Sequence, residues 1–350
     1  MAHDHPQHSD ARDHAHDHAH DGTHPDHDAG LADLLDLDAE VLGAYLDEVT
    51  AWAAQHAPDD PRRVVDLGAG TGTGTRALGR RFAAARLVAV DRSEAMAQRL
   101  RIAADEPGLA GRVEVVLADL DGVWPKVGAV DVAWAASSLH ELADPDRVLR
   151  DVHAALRPGG LLVVVEMDTL PRFLPDDLGT GRPGLETRLH DALARAGWNA
   201  HPDWQPALEQ AGFEVAARRT FTLDASPAPA RAGRYARAYL SRVRGALDGQ
   251  LAADDRDTLD RLLAHDGPDS LLRRRDLVVS GTRTAWAARR PLPVSAAPVS
   301  AAPVSPESTS APDDPFSAAM EAFVTMRVLG DSRHGLDSLL DAPGEPAAGP

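Results

Sequence analysis

The 350-residue chain has no cysteine. It can form no disulfide, no thiolate zinc site and no cysteine nucleophile. Lysine occurs once, at Lys126, and no glycine precedes it, so no phosphate-cradling Gly-Lys loop exists. Long apolar runs are missing too. The longest purely aliphatic stretch is Leu161 to Val165, far short of a membrane span. The N-terminus is rich in His and Asp and shows no apolar leader segment. A soluble, cytoplasmic protein is expected.

A basic field is also lacking. The formal charge is −18. Residues 1–30 carry seven Asp against one Arg, and residues 291–350 carry eight acids against two Arg. Residues 31–290 hold 39 acids against 33 bases, so the part with core-forming composition is only mildly acidic. Such a surface offers nothing to a nucleic-acid backbone. With 43% apolar residues the chain can still build a sizeable core.

Composition divides the chain. The first 28 residues contain nine His and seven Asp and cannot form a core, so 1–30 is expected to be a disordered tail. Its imidazoles could chelate a divalent metal weakly, without a framework to fix geometry. Residues 31–60 read as one or two short cap helices, and 61–290 as the main domain. Residues 291–312 repeat Pro-Val-Ser-Ala-Ala, an extended linker. In the 313–350 tail, Phe316, Ala319, Met320, Phe323 and Val324 recur at helical spacing behind Asp314-Pro315.

Within the main domain strands and helices alternate. Apolar runs at Val64–Leu67, Leu87–Val90, Val113–Leu117, Val130–Ala135 and Leu161–Val165 predict buried parallel strands. Asp144 and Pro145 open a helix that Pro158-Gly159-Gly160 should stop. Gly212–Leu223 and Val278–Ala288 predict two more strands. The helical stretches between them, about 225–270, would form a lid over the ligand end of the sheet.

The strongest local signal is VVDLGAGTGTGT, residues 64–75. A strand runs into a glycine turn and then a helix, whose N-terminal N–H groups face a ligand. Gly68, Gly70 and Gly72 allow the tight turn and the close approach. Asp66, two residues earlier, suits a ligand with an ammonium group and repels a pyrophosphate. A dinucleotide fingerprint fails, because the sixth position from Gly68 is Thr73 and from Gly70 is Thr75.

Asp66-x-Gly68-x-Gly70-x-Gly72 resembles motif I of the class I S-adenosylmethionine-dependent methyltransferases. The resemblance covers about residues 60–168. It implies an α/β, Rossmann-like, doubly wound fold: a mostly parallel seven-stranded sheet, helices on both faces and a helical lid. Asp91 ends the next strand, where such a fold places the acid for both ribose hydroxyls. Ser93 could instead make that stretch a plain helix cap. Asp119 stands where the family binds the adenine amino group, with Asp121 as a close competitor. By the same resemblance Ala69, Arg92, Met96, Leu120 and Ala135 would line the S-adenosyl-L-methionine site. No metal is implied. A thiolate-dependent attack at cytosine C5 is excluded, since no cysteine exists.

The fourth strand ends in WAASSLHEL, residues 134–142, without the Asn/Asp-Pro-Pro-aromatic tetrad of nucleic-acid amino-methyltransferases. A small-molecule acceptor follows. His140, as a neutral imidazole, is the candidate catalytic base; the alternative is a pocket-lining residue. Glu141, Glu166 and Asp168 share that rim and could orient a polar acceptor. Two other readings stay open: a regulatory protein that binds the cofactor and transfers nothing, and another Rossmann enzyme such as a nicotinamide oxidoreductase.

Overall fold

A computed structural model of the chain describes residues 25–197, 203–225 and 228–293, and the account below concerns these. Most of the His/Asp-rich tail, nearly all of the linker, and the helix expected after Pro315 lie outside the described residues. So does any metal binding by the tail.

The elements run α1 (Pro25–Leu42), α2 (Ala44–Ala54), β1 (Arg63–Leu67), α3 (Thr73–Arg81), β2 (Arg86–Asp91), α4 (Glu94–Ala104), β3 (Val113–Leu117), β4 (Val130–Ala136), α5 (Pro145–Ala155), β5 (Leu156–Met167), α6 (Leu185–Arg195), α7 (Gln205–Gln210), β6 (Glu214–Asp224), α8 (Ala232–Ala246), α9 (Ala253–Leu263) and β7 (Ser280–Arg289). The strands form one sheet in the order β3-β2-β1-β4-β5-β7-β6. Strands β1 to β5 are parallel, and β7 runs antiparallel between β5 and β6.

Near-continuous apolar strands need cover on both faces, and alternation sorts their side chains. Val64, Val132, Trp134, Leu161, Val163 and Val165 pack with α1, α2, α3, α6, α8 and α9. Val65, Leu67, Ala133, Ala135, Leu162 and Val164 pack on the opposite side with α5 and α7. Burying each Val or Leu contributes about 1.5–3 kcal/mol before chain entropy is charged. The chain steps outward from β1 through β2 to β3, then returns to place β4 on the other side of β1. Ligands bind beyond the carboxyl ends of the strands at such a reversal.

Three expectations need correction. Helix α1 begins at Pro25, inside the stretch that composition assigned to the tail. Its hold is tertiary: Arg99 of α4 pairs with Asp33 and Asp36, and Leu34 and Leu37 pack on the core. Helix α5 opens as expected, with the Asp144 side chain accepting the Arg147 N–H at 2.9 Å. It ends at Ala155, however, before the Pro-Gly-Gly. The Arg290 side chain takes the carbonyls of His153, Ala154 and Leu156. Gly159 and Gly160 exchange backbone bonds with Arg290, so β5 begins at Leu156 rather than Leu161. Helix α6 was not anticipated. It follows Gly184 without a side-chain cap, so the sequence carried no start signal. Buried Glu186 holds the excursion before it by accepting the N–H groups of Phe173 and Leu174 at 2.8 and 3.2 Å.

The expected insertion between β6 and β7 is present as α8 and α9. Helix α1 packs against both α4 and α8, so the N-terminal helix and the insertion meet over the strand ends.

Candidate active site

The turn after β1 has the shape that its glycines predict. Gly68 has φ +66°, and a Cβ there would lie 2.5 Å from the Ser138 Cβ. The turn is thus packed directly against the loop that follows β4. Gly72 caps α3 at φ +89°. Asp66 lies under the turn, 3% exposed, accepting the Thr75 hydroxyl at 2.6 Å. Burial pushes its carboxyl up to about 7; the Thr75 bond opposes this and the Asp91 charge adds to it. The carboxylate that was expected to meet an ammonium group is therefore enclosed and half-titrated near neutrality.

Asp91 ends β2 beside this turn. One oxygen accepts the Gly70 N–H at 2.8 Å and the other accepts the Ser93 N–H at 2.9 Å. Ser93 also caps α4, accepting the Met96 N–H, so the capping alternative and the site reading coexist. Asp119 and its close competitor Asp121 separate here. Asp121 accepts the N–H groups of Ala143 and Asp144, clasping the loop before α5. The Asp119 side chain accepts the N–H of Asp121 at 2.9 Å and is otherwise exposed. Met96, Leu120 and Ala69 are nearly buried beside these acids, and Arg92 is exposed. The Ala135 side chain is fully buried with Leu67 and Val90 on the α5 side, in register with Leu67 just before the turn.

Glu166 organises the rim. Its Oε1 accepts the N–H groups of Ser138 and Leu139 at 3.2 and 3.1 Å, and its Oε2 lies 2.8 Å from His140 Nδ1. His140 Nε2 lies 3.3 Å from Glu141 Oε1. Both ring nitrogens face carboxylate oxygens, which requires both to donate. Burial lowers the imidazole pKa, but the bonds to Glu141 and Glu166 and their charges outweigh it and raise it to about 10. The neutral base expected at His140 is thus an imidazolium at neutral pH. Glu166 and Asp168 are not free either; Asp168 accepts the Thr284 hydroxyl at 2.9 Å. Ser137 sits at φ +51°, and the Ser137 and Ser138 hydroxyls are buried without a partner. Unpartnered buried hydroxyls mark a place for a ligand's polar groups.

Residues 65–162 match the model of a methyltransferase domain family. This stretch holds the glycine turn, all three strand-end acids and the rim through α5. By this match the stretch is a methyltransferase domain. A malonyl-[acyl-carrier protein] O-methyltransferase from Laribacter hongkongensis is 31% identical over 159 residues, covering 39% of this chain and 51% of that protein. A trans-aconitate 2-methyltransferase from Variovorax paradoxus is 34% identical over 135 residues, covering 37% and 50%. A sarcosine/dimethylglycine N-methyltransferase from Halorhodospira halochloris is 27% identical over 220 residues, covering 62% and 72%. The chain spans about half the length of the first two.

The donor set of the methyltransferase domain fits its cofactor. Carboxylates end three adjacent strands, which suits hydroxyl, amino and ammonium groups and opposes phosphates. Leu35 of α1 lies over the turn, 3.2 Å from where a Gly70 Cβ would be. Among the described residues no helix is long and apolar enough to cross a membrane, and no group of three His, Asp or Glu is arranged to hold a metal.

The sequence reading missed one polar cluster outside residues 65–162. Arg283 of β7, 8% exposed, donates to the Tyr45 hydroxyl and to the Asp38 carboxylate. The Tyr235 hydroxyl donates to Asp38 at 2.6 Å. The available signal was an arginine inside the run SGTRTAWAAR, ahead of the one that ends it, where a buried strand should be apolar.

Proposed function

We propose that the chain transfers a methyl group from S-adenosyl-L-methionine to a small-molecule acceptor by direct displacement. Bound there, the cofactor supplies an electrophilic methyl on a sulfonium sulfur. Asp91 would hold the ribose hydroxyls and Asp119 the adenine amino group, with the turn at 68–72 beneath. Positioning of this kind contributes as much as ~7–11 kcal/mol to a displacement.

The observation that carries the mechanism is the clamp on His140. An imidazolium held by two carboxylates accepts no proton at neutral pH, so His140 is not the base, and an acceptor that arrives as an anion or an unprotonated lone pair needs none. Its lone pair forms the new bond to carbon, and the C–S electron pair stays on sulfur. The relatives above are named for malonyl, trans-aconitate and sarcosine or dimethylglycine acceptors, all of which bear a carboxylate.

Calorimetry with S-adenosylhomocysteine tests the cofactor half: binding is expected, with no binding of NAD. Transfer of labelled methyl from the cofactor into a metabolite extract tests the rest. Binding without any labelled product in extracts or with defined acids would instead support a regulatory protein.

A further inference from the structure

The Asp38–Tyr45–Arg283–Tyr235 cluster is the largest feature that the methyl-transfer reading leaves unused. Helices α1 and α2 deliver Asp38 and Tyr45 to a single cation on β7, and α8 adds Tyr235, which bonds Asp38. A buried ion pair adds little net stability compared with packed apolar side chains. Stability alone therefore does not account for an arginine here.

Its place suggests a ligand. Arg283 pairs in register with Met167, the residue after Glu166, at the carboxyl end of β5. Alternation turns it to the face of α1, α2 and α8, with Ala285 and Ala287. The Glu166 charge acts on the Tyr45 hydroxyl, and Tyr45 receives the Arg283 guanidinium. Contacts lead from Gly68 to Ser138 and on to Glu166, and from Tyr45 to Arg283; between Glu166 and Tyr45 the link is electrostatic.

The contact with Asp38 is also imperfect. One terminal nitrogen spans both Asp38 oxygens, at 3.0 and 3.1 Å, while the other is given to Tyr45. Arginine binds a carboxylate best through two parallel N–H bonds. A carboxylate tethered to α1 does not reach that alignment; a free one can. The Tyr235 hydroxyl that now donates to Asp38 would serve the newcomer. The Tyr45 hydroxyl, which accepts from Arg283, keeps its own proton to donate. Helices α1 and α8 also border a cleft of about 510 Å³, lined by Asp33, Asp36, Glu40, Arg231 and Arg234 among others, on the side of α1 away from Arg283's own partners.

We propose that Arg283, flanked by Tyr45 and Tyr235, is the seat for a carboxylate of a small organic acid acceptor. Asp38 of α1 occupies that seat when no acceptor is bound. Asp38 is then an internal competitor, and α1 a strap that an incoming acid unfastens. The role of the acid as acceptor rests on the methyl-transfer reading above; its binding to Arg283 does not.

The test uses the full chain and calorimetry with succinate, glutarate and benzoate, their amides as controls, and S-adenosylhomocysteine in parallel. Acids should bind and amides should not. Asp38→Asn removes the competitor and should tighten acid binding about tenfold or more. It should also lower the melting temperature, and added acid should restore it. Arg283→Gln should abolish acid binding and leave S-adenosylhomocysteine binding unchanged. Equal acid binding by wild type and Arg283→Gln overturns the proposal. So does an Asp38→Asn chain with no gain, or a chain that binds S-adenosylhomocysteine but no acid in any variant. If Arg283→Gln does not fold, the Asp38→Asn comparison decides. A wild type that binds acids but not S-adenosylhomocysteine would sink the methyl-transfer reading and leave the acid seat standing.

Discussion

The Asp91 carboxylate reaches back across the strand end and accepts the Gly70 N–H at 2.8 Å. One side chain therefore both shapes the glycine turn and faces the proposed ribose. Asp91→Ala removes hydrogen bonds to a charged acceptor, worth roughly 1.5–3 kcal/mol. Affinity for S-adenosylhomocysteine should fall by about ten- to hundredfold in calorimetry. Wild-type binding in this variant would remove Asp91 from the site.

Gly68→Ala should cost more than backbone strain alone. A non-glycine residue held at positive φ costs roughly 1–3 kcal/mol. At Gly68 the new Cβ would also lie 2.5 Å from the Ser138 Cβ. Gly111 provides the control, with φ +74° and nothing within 4 Å of a new Cβ. Denaturant unfolding of both variants should show a larger loss for Gly68→Ala, and only that variant should lose cofactor affinity. Equal losses would show that the Ser138 contact relaxes freely.

Asp66 makes cofactor binding depend on pH. Its carboxyl is raised from 3.8 to about 7, chiefly by burial. In the free protein the folded state thus retains a proton that the unfolded state releases, so stability from this group declines as pH rises between these values. A ligand bearing an ammonium group favours the ionised form. Affinity should therefore rise with pH up to about 7 and then level off, with a proton released on binding at pH 6. Titrations in two buffers of different ionisation heat measure that proton. Asp66→Asn should flatten the response; a pH-independent wild type would uncouple Asp66 from the ligand.

His140 should be a structural cation rather than a base. Its pKa is raised from 6.5 to about 10. The stability it adds is full below pH 6.5 and is lost as pH rises through about 10. His140→Asn should keep the rate at saturating acceptor within about tenfold, since a base would contribute about 10²–10⁴. The variant should also unfold more easily, by about 1.5 kcal/mol, at the low end for a charged hydrogen bond, because the imidazole is 30% exposed. A hundredfold rate loss with cofactor affinity intact would restore the base.

Much of the site was legible because it is local. Asp66, Gly68, Gly70 and Gly72 follow one another in seven residues, and a strand-turn-helix fixes their relation wherever the sheet lies. Asp91 and Asp119 were legible because a parallel strand delivers its last residue to the same edge as its neighbour. The start of α5 was legible for the same reason, since Asp144 caps its own helix. The end of α5 was not: Arg290, more than 130 residues away, takes its last carbonyls.

By itself, then, the sequence determined the alternation of strands and helices, the glycine turn and the acids at its edge, through patterns that close within a few residues. The charge of His140 depends on its neighbour Glu141 and on Glu166, and only the tertiary structure brought in the second, a glutamate 26 residues away on another strand. The tertiary structure alone separated Asp121 from Asp119, by giving Asp121 the backbone of the next loop. It alone joined Asp38 to Arg283 across 245 residues. No local pattern encodes such a pair; it exists because the sheet brings β7 beside β5 and lays α1 across both, and a buried guanidinium must find its partner there.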